Sequence, residues 1–266
     1  MERTIMERLQ DHYDEALGYF PEERIVGIFL QGSQNYGLQI EGSDVDTKLV
    51  ITPTFEDIAM NRKPVSTTHV RENDEHIDFK DVRLMLQTFK KQNMNFLEIL
   101  FTEYKIINPR YAEAWGELIK YREEISHLNT FNAVKAMKGV ALEKFHAMEH
   151  RYPAKIEIID RMGYDPKQLH HLLRVEDYLQ RYIAGASYEE CLRPADVDYL
   201  KEVKMGKYTL EEAREVGKAA MAHIEEMCEP FTKESEFNVS NERAEAILDI
   251  AQYEIMRLSV MEELYE

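Results

Sequence analysis

The sequence predicts an α+β protein, in which a small mixed β-sheet with flanking helices precedes an all-helical part. Short apolar runs of strand length, separated by polar turns, occur within residues 24–80. From residue 129 onward, almost every segment has the apolar periodicity of a helix. No flexible linker separates these regions, so we expect two domains, 1–128 and 129–266, that pack together.

The first domain begins with an amphipathic helix over residues 2–18. Apolar or alternating runs then predict strands at 24–31, 44–51, 66–71 and 76–80. The proline-containing segment 52–64 is expected to be a loop or a short helix. Helical patterns follow at 81–92, 95–101 and 110–124.

The second domain is predicted to be helical throughout. Helices are expected at 130–150, 154–161, 165–184, 196–204, 209–228 and 240–264. Thr209 and Ser240 each precede acidic residues, a pattern typical of helix N-caps.

Three aspartates are the candidate metal ligands. Asp44 and Asp46 flank Val45, so on a strand both carboxylates would project from one face while Val45 enters the core. Asp78 lies between two apolar residues on a later predicted strand and would face the same site. Carboxylates at this spacing suit Mg²⁺ or Mn²⁺, with substrate phosphates as further ligands. Two such ions would stabilise the attacking and leaving oxygens of an in-line displacement.

A glycine-serine pair ends the first predicted strand. Gly32 lets the backbone approach a phosphate closely, and the Ser33 hydroxyl and following amides can hold its oxygens. Tyr36 either contacts the ligand or packs in the same loop. Lys48 lies two residues beyond Asp46, so it either contacts a triphosphate or pairs with that carboxylate.

These motifs resemble the active site of the DNA polymerase beta nucleotidyltransferase superfamily. The pattern is similar to that of the RNA-repair-linked, RlaP-like predicted nucleotidyltransferases at Gly32, Ser33, Tyr36, Gly37, Leu38, Ser43, Asp44, Asp46 and Lys48. Segments 95–100 and 163–174 also resemble that branch. Gln31 and Thr47 depart from the superfamily pattern, which usually has apolar residues there.

The resemblance implies a Mg²⁺-dependent transfer of a nucleoside monophosphate from an NTP to an acceptor hydroxyl, with release of pyrophosphate. Gly32 and Ser33 would lie under the triphosphate, and the three aspartates would hold the metals. Asp78 would also take the proton of the acceptor. The acceptor could be an RNA 3′ end, a protein hydroxyl or a small molecule.

The helical domain is expected to face the metal site and to contact nucleotide or acceptor. The candidates are Lys138, Lys167 and His171, although helical lysines are usually solvated and histidines are often structural. Lys167 and His171 are one turn apart and can reach one ligand. Residues 135–174 hold eight Lys or Arg and five Asp or Glu, which suits a bound polyphosphate.

Composition limits the partners. The net charge of −17 argues against binding to extended duplex nucleic acid. No apolar run is long enough to span a membrane, and mean hydropathy is −0.50. Two cysteines and the absence of an apolar signal core indicate a cytoplasmic protein, of a bacterium or of a virus-infected host.

Two other functions remain open from the sequence. The chain could be a catalytically silent nucleotide-binding regulator of the antitoxin or anti-defence kind, although all three carboxylates are present. It could also adenylylate cationic antibiotics, with which its acidic charge is compatible.

Overall fold

The computed structural model describes residues 3–233 and 237–265. Two compact units divide the chain. The first contains residues 3–35, 41–128 and 240–265, and the second contains residues 36–40, 129–233 and 237–239.

The first unit contains the β-sheet. Its strands are β1 (Ile25–Gln31), β2 (Asp46–Ile51), β3 (Ser66–Val70), β4 (His76–Asp81) and β5 (Lys105–Ile107). Its helices are α1 (Ile5–Ala16), α2 (Phe55–Ala59), α3 (Val82–Lys90), α4 (Met94–Leu97), α5 (Ala112–Lys120), α6 (Arg122–Ser126) and α13 (Glu242–Tyr265).

The second unit is helical over its described residues. Its helices are α7 (Thr130–Ala147), α8 (Ile156–Met162), α9 (Pro166–Ile183), α10 (Tyr188–Leu192), α11 (Val197–Lys204) and α12 (Leu210–Lys233). Helices α7, α9 and α12 pack on one another. No helix in the described part of the chain is both long and apolar enough to cross a bilayer.

The sheet is mixed, with strand order β3-β4-β2-β1-β5. Strands β2 and β4 run parallel, whereas the other neighbours are antiparallel. On one face, Leu9 and Tyr13 of α1 pack on apolar side chains of β1, β2 and β4. On the opposite face, Phe29 stacks on Trp115 of α5 at 4.8 Å between ring centroids. Helices therefore pack on both faces of the sheet, through apolar side chains on each side.

The predicted α+β class, a mixed sheet with flanking helices followed by a helical part, is confirmed. The division of the chain differs from the predicted 1–128 and 129–266 at two places. Helix α13 packs on α3 and α5 in the first unit, where Leu248 and Ile255 are buried. Residues 36–40 belong with the second unit. An apolar helix face shows that a helix packs but not on which partner, so the sequence does not place α13.

Two short elements were absent from the prediction. Strand β5 has three residues, and α10 has five, so neither is long enough to show a clear period.

Candidate active site

Three strand ends meet at one end of the sheet. Gln31, the last residue of β1, is paired with Asp46, the first residue of β2. The parallel register of β2 with β4 pairs Thr47 with Ile77, so β4 begins beside Asp46. The Gly32-Ser33 turn, the two early aspartates and the start of β4 therefore adjoin one another within the first unit.

Asp46 is held by the start of β4. One of its carboxylate oxygens accepts hydrogen bonds from the backbone N–H of His76 at 2.9 Å and from its ring Nδ1 at 3.1 Å. The Asp46 side chain is 35% exposed to solvent. Asp44 precedes the strand and is exposed, so the two aspartates do not share a strand face, contrary to the sequence prediction. Val45 is fully buried, as expected.

A buried carboxylate fixes the segment that carries these aspartates. Glu75, which is 1% exposed, accepts a hydrogen bond from the backbone N–H of Val45 at 3.2 Å. The same carboxylate contacts His12 at 2.9 Å, Arg71 at 3.0 Å and Arg8. Two cations and several hydrogen bonds thus compensate its desolvation. Glu75 lies in a polar turn, where nothing in the sequence distinguishes it from an exposed acid.

Asp78 is paired with Lys48. The two residues are opposite one another in the parallel register, and Lys48 Nζ lies 3.3 Å from Asp78 Oδ2. Thr68 donates to Oδ1 at 2.6 Å and Gln31 donates to Oδ2 at 3.3 Å. Burial alone would raise the pKa of Asp78, but Lys48 and these hydrogen bonds outweigh it and hold the pKa below its ordinary value. Burial lowers the pKa of Lys48, and Asp78 opposes that shift.

The Asp78 geometry does not favour the predicted role of proton acceptor. A general base works best with a pKa near the working pH, whereas this carboxylate is held ionised and its oxygens are engaged. Lys48 pairs with Asp78 rather than with Asp46, which was its partner in one of the two predicted alternatives.

Hydrogen bonds hold the backbone of the Gly32-Ser33 turn in place. Gly32 has φ of +86°, a backbone conformation that favours glycine. Its N–H donates to the buried carboxylate of Glu98 at 3.1 Å. Asn35 closes the turn through its N–H to the Gly32 carbonyl at 3.0 Å. Because the Gly32 N–H is bonded to Glu98, the groups available to a phosphate are the Ser33 hydroxyl and the amides of the residues that follow in the turn.

The four remaining predicted contacts lie in the second unit. The Tyr36 ring is buried and stacks under the Arg174 guanidinium at 3.8 Å, so it packs rather than presenting an open face. Lys138 forms an ion pair with Glu225 at 2.6 Å. Lys167 is exposed on α9. His171, one turn later, is half-buried, and burial lowers its pKa well below the ordinary value.

The donor set fits part of the predicted metal site. No group of three or more His, Cys, Asp or Glu in residues 3–233 and 237–265 is arranged to hold a metal ion. The predicted three-carboxylate arrangement of Asp44, Asp46 and Asp78 is therefore not assembled, because Asp78 is turned to Lys48. Asp44 is exposed and Asp46 is partly exposed, so their carboxylates suit one hard cation whose other ligands are waters or phosphates.

Sequence reasoning missed several side chains in and around this site. They are Gln31, Thr68, His76, Lys80, Phe96 and Glu98. The period-2 alternation that placed Asp78 also places His76 and Lys80 on its face, so that signal was present. Glu98 could not be found, because its partner is 66 residues away in the chain.

No protein-family model and no curated protein matches the chain. Among solved structures, a nucleotidyltransferase-like protein from Exiguobacterium sibiricum 255-15 is similar at 12% sequence identity. The match covers 95% of this chain and 80% of that chain, with a TM-score of 0.31. Similarity at this level does not establish a shared activity.

Proposed function

We propose that the chain is a nucleotidyltransferase that transfers a nucleoside monophosphate from an NTP to an acceptor hydroxyl. The observation that carries the proposal is the register of β1 with β2, which sets the Gly32-Ser33 turn beside Asp46. A phosphate held at the turn would lie next to the carboxylates of Asp44 and Asp46. This combination of an anion-binding turn and adjoining carboxylates suits phosphoryl chemistry, which depends mainly on positioning and charge neutralisation.

Asp44 and Asp46 would hold one Mg²⁺ or Mn²⁺, which supplies positive charge to the phosphate oxygens when bound. Ser33 would donate its hydroxyl to a phosphate oxygen. His76 would keep the Asp46 carboxylate oriented through its two hydrogen bonds. The acceptor oxygen would form a bond to the α-phosphorus as the α–β bridging P–O bond breaks. Pyrophosphate would leave with that bridging oxygen, and the hydroxyl proton would pass to water.

The finer assignment follows the resemblance of the sequence motifs. An RNA 3′ end would be the acceptor if the RNA-repair-linked branch is the correct one, and ATP would be the first NTP to test. Lys138, Lys167 and His171 stay candidates for nucleotide or acceptor contacts. Lys167 is exposed, whereas Lys138 would first have to leave Glu225.

A second candidate is a nucleotide-binding regulator without turnover. Two observations favour it: Asp78 is neutralised by Lys48, and the Gly32 amide is taken by Glu98. Such a protein would bind an NTP without cleaving the α–β bond.

Incubation with each α-labelled NTP, Mg²⁺ or Mn²⁺, and total cellular RNA and protein tests the choice. The proposal expects a labelled acceptor with the wild-type chain and none with Asp46→Asn. Asp74→Asn is the matched control, because Asp74 is an exposed aspartate at φ of +64°, where asparagine is well tolerated. Nucleotide binding without labelling by any NTP would support the regulator instead.

A further inference from the structure

A small pocket opens on the polar face of the sheet beside Asp78. Its volume is about 170 Å³, and its walls come from β2, β3, β4 and α4. The lining residues that matter are Lys48, Lys80, Phe96, Ser66 and Thr68. At about 30 Å³ per water molecule, the pocket has room for about five or six waters. That space suits a group of a few heavy atoms such as phosphate, and not a whole nucleotide.

Two lysines project over the same aromatic ring in this pocket. Lys48 Nζ and Lys80 Nζ each lie 4.2 Å from the centroid of the Phe96 ring. Lys48 is almost fully buried and is paired with Asp78. Lys80 is half-buried, and its ammonium has neither a hydrogen-bond nor an ion-pair partner among the residues that the structure describes.

Asp78 is the one carboxylate among the residues that line the pocket, and it faces two ammonium groups. The Asp46 carboxylate also attracts Lys48 from outside the pocket, which leaves Lys80 as the cation with the least compensation. Two ammonium groups at one aromatic ring repel each other. The attraction of each ammonium to the ring is weak compared with its attraction to a carboxylate or phosphate, so an anion between them would be stabilising. The protein alone therefore does not balance the positive charge in the pocket, which suits the binding of an oxyanion.

Hydroxyl groups line the mouth of the pocket. Ser66 and Thr68 lie on β3, which is an edge strand, and both are exposed. The Thr68 hydroxyl already donates to Asp78 at 2.6 Å, so Ser66 is the hydroxyl on that face of the strand that remains available to a ligand. Hydroxyl and ammonium donors around a small opening are the usual composition of a phosphate site.

We propose that this pocket binds a phosphate group carried by the acceptor. This inference rests on the proposed function and adds to it that the acceptor is a phosphorylated molecule. The pocket lies mainly at β3 and β4, which are three and two positions from β1 in the strand order, with Lys48 of β2 on its nearer side. The Gly32-Ser33 turn follows β1, so with strands spaced about 4.8 Å apart the main walls of the pocket lie roughly 10 to 14 Å from that strand. The donor triphosphate belongs at the turn, so the pocket is left for the other substrate. A cationic antibiotic would be repelled from it by Lys48 and Lys80.

Calorimetric titration of the full chain with inorganic phosphate in EDTA tests the pocket without metal. Lys80→Met removes the charge and keeps the apolar stem over Phe96. We expect it to weaken phosphate binding tenfold or more, because a charge-assisted hydrogen bond is lost. Lys80→Arg should stay within about threefold of wild type. Lys63→Met, at an exposed position of the same unit, should change nothing. Circular dichroism on each variant verifies folding.

The inference is overturned if the wild-type chain does not bind phosphate or if Lys80→Met binds it as tightly as Lys63→Met. Repeating the titration with a saturating non-hydrolysable ATP analogue and Mg²⁺ distinguishes the source of the phosphate. Unchanged phosphate affinity supports an acceptor site. Displacement by the analogue assigns the pocket to the donor triphosphate and contradicts the inference.

Failure of this inference and failure of the proposed function give different results. Phosphate binding that depends on Lys80, in a chain that labels no acceptor, contradicts the proposed function. Normal labelling with phosphate binding that is indifferent to Lys80 contradicts the inference alone.

Discussion

Lys48 Nζ and Asp78 Oδ2 lie 3.3 Å apart across the parallel pair β2 and β4, with only 4% of the Lys48 side chain exposed. This ion pair occupies the position at which a third metal-binding carboxylate was expected. It divides the carboxylates at this end of the sheet into two kinds. Asp44 and Asp46 form an open pair, whereas the charge of Asp78 is compensated by Lys48.

Asp78→Asn should destabilise the chain, because it leaves the buried Lys48 ammonium without its counter-ion. We expect the free energy of unfolding in urea to fall by about 1–3 kcal/mol. The loss stays below that of a fully buried pair, since 30% of the Asp78 side chain is exposed.

Lys48→Met and the double variant complete a double-mutant cycle for this pair. The double variant should lose less stability than the sum of the single variants, by about 1 kcal/mol or more. Strict additivity would show that the two side chains do not interact in solution.

Glu75→Gln should be strongly destabilising, because it removes a buried carboxylate that faces His12, Arg8 and Arg71. The expected loss of unfolding free energy is about 2–5 kcal/mol. Glu72→Gln, an exposed residue of the same turn, should stay within about 0.5 kcal/mol of wild type. Equal stability of the two variants in urea unfolding would remove Glu75 from its anchoring role.

The stability of the chain should fall on acidification, because the buried His170 has a lowered pKa in the folded state. Burial lowers the pKa of His170 from 6.5 to about 4, against a hydrogen bond to the Leu200 carbonyl at 2.8 Å. Between these pH values the unfolded chain binds the proton more tightly, so stability is present above pH 6.5 and is lost as pH falls toward 4.

Urea unfolding at pH 7 and pH 5 measures this effect. From pH 7 to pH 5, His170 should account for about 2 kcal/mol of the loss, and His170→Gln should lack that part. An identical pH dependence in the variant would contradict a buried neutral histidine.

ATP should raise the melting temperature only with Mg²⁺ or Mn²⁺ present, since Asp44 and Asp46 repel a bare triphosphate. At 100 times its dissociation constant, a ligand adds about 2.7 kcal/mol of stability. Differential scanning fluorimetry with and without EDTA measures the shift. An equal shift in EDTA would indicate a nucleotide site that does not use these carboxylates.

The sequence predicted the sheet and the chemical groups at its end because both depend on local patterns. Alternation along β4 was enough to place Asp78 on the polar face. The pairing of Asp78 with Lys48 was not predictable, since it depends on the register between strands about 30 residues apart. The anchoring role of Glu75 was hidden for a related reason. Its burial is set by α1, which supplies His12 from 63 residues away.

For helices too, local features were predictable from the sequence and long-range partners were not. Thr209 was expected to cap the helix that follows it, and in the structure its hydroxyl accepts a hydrogen bond from the Glu212 backbone N–H. That interaction spans three residues and can be read from the sequence. The partner of α13 is set by contacts more than 100 residues away, and no pattern within the helix specifies it.

Binding of Mn²⁺, followed by electron paramagnetic resonance in the presence of ATP, tests the division between Asp46 and Asp78 most directly. The wild-type chain, Asp46→Asn and Asp78→Asn are compared at a temperature where circular dichroism shows all three to be folded. We expect Asp46→Asn to lose the protein-bound Mn²⁺ and Asp78→Asn to retain it. Retention of bound Mn²⁺ by Asp46→Asn, or its equal loss from Asp78→Asn, would contradict the assignment of Asp46 rather than Asp78 as the metal ligand.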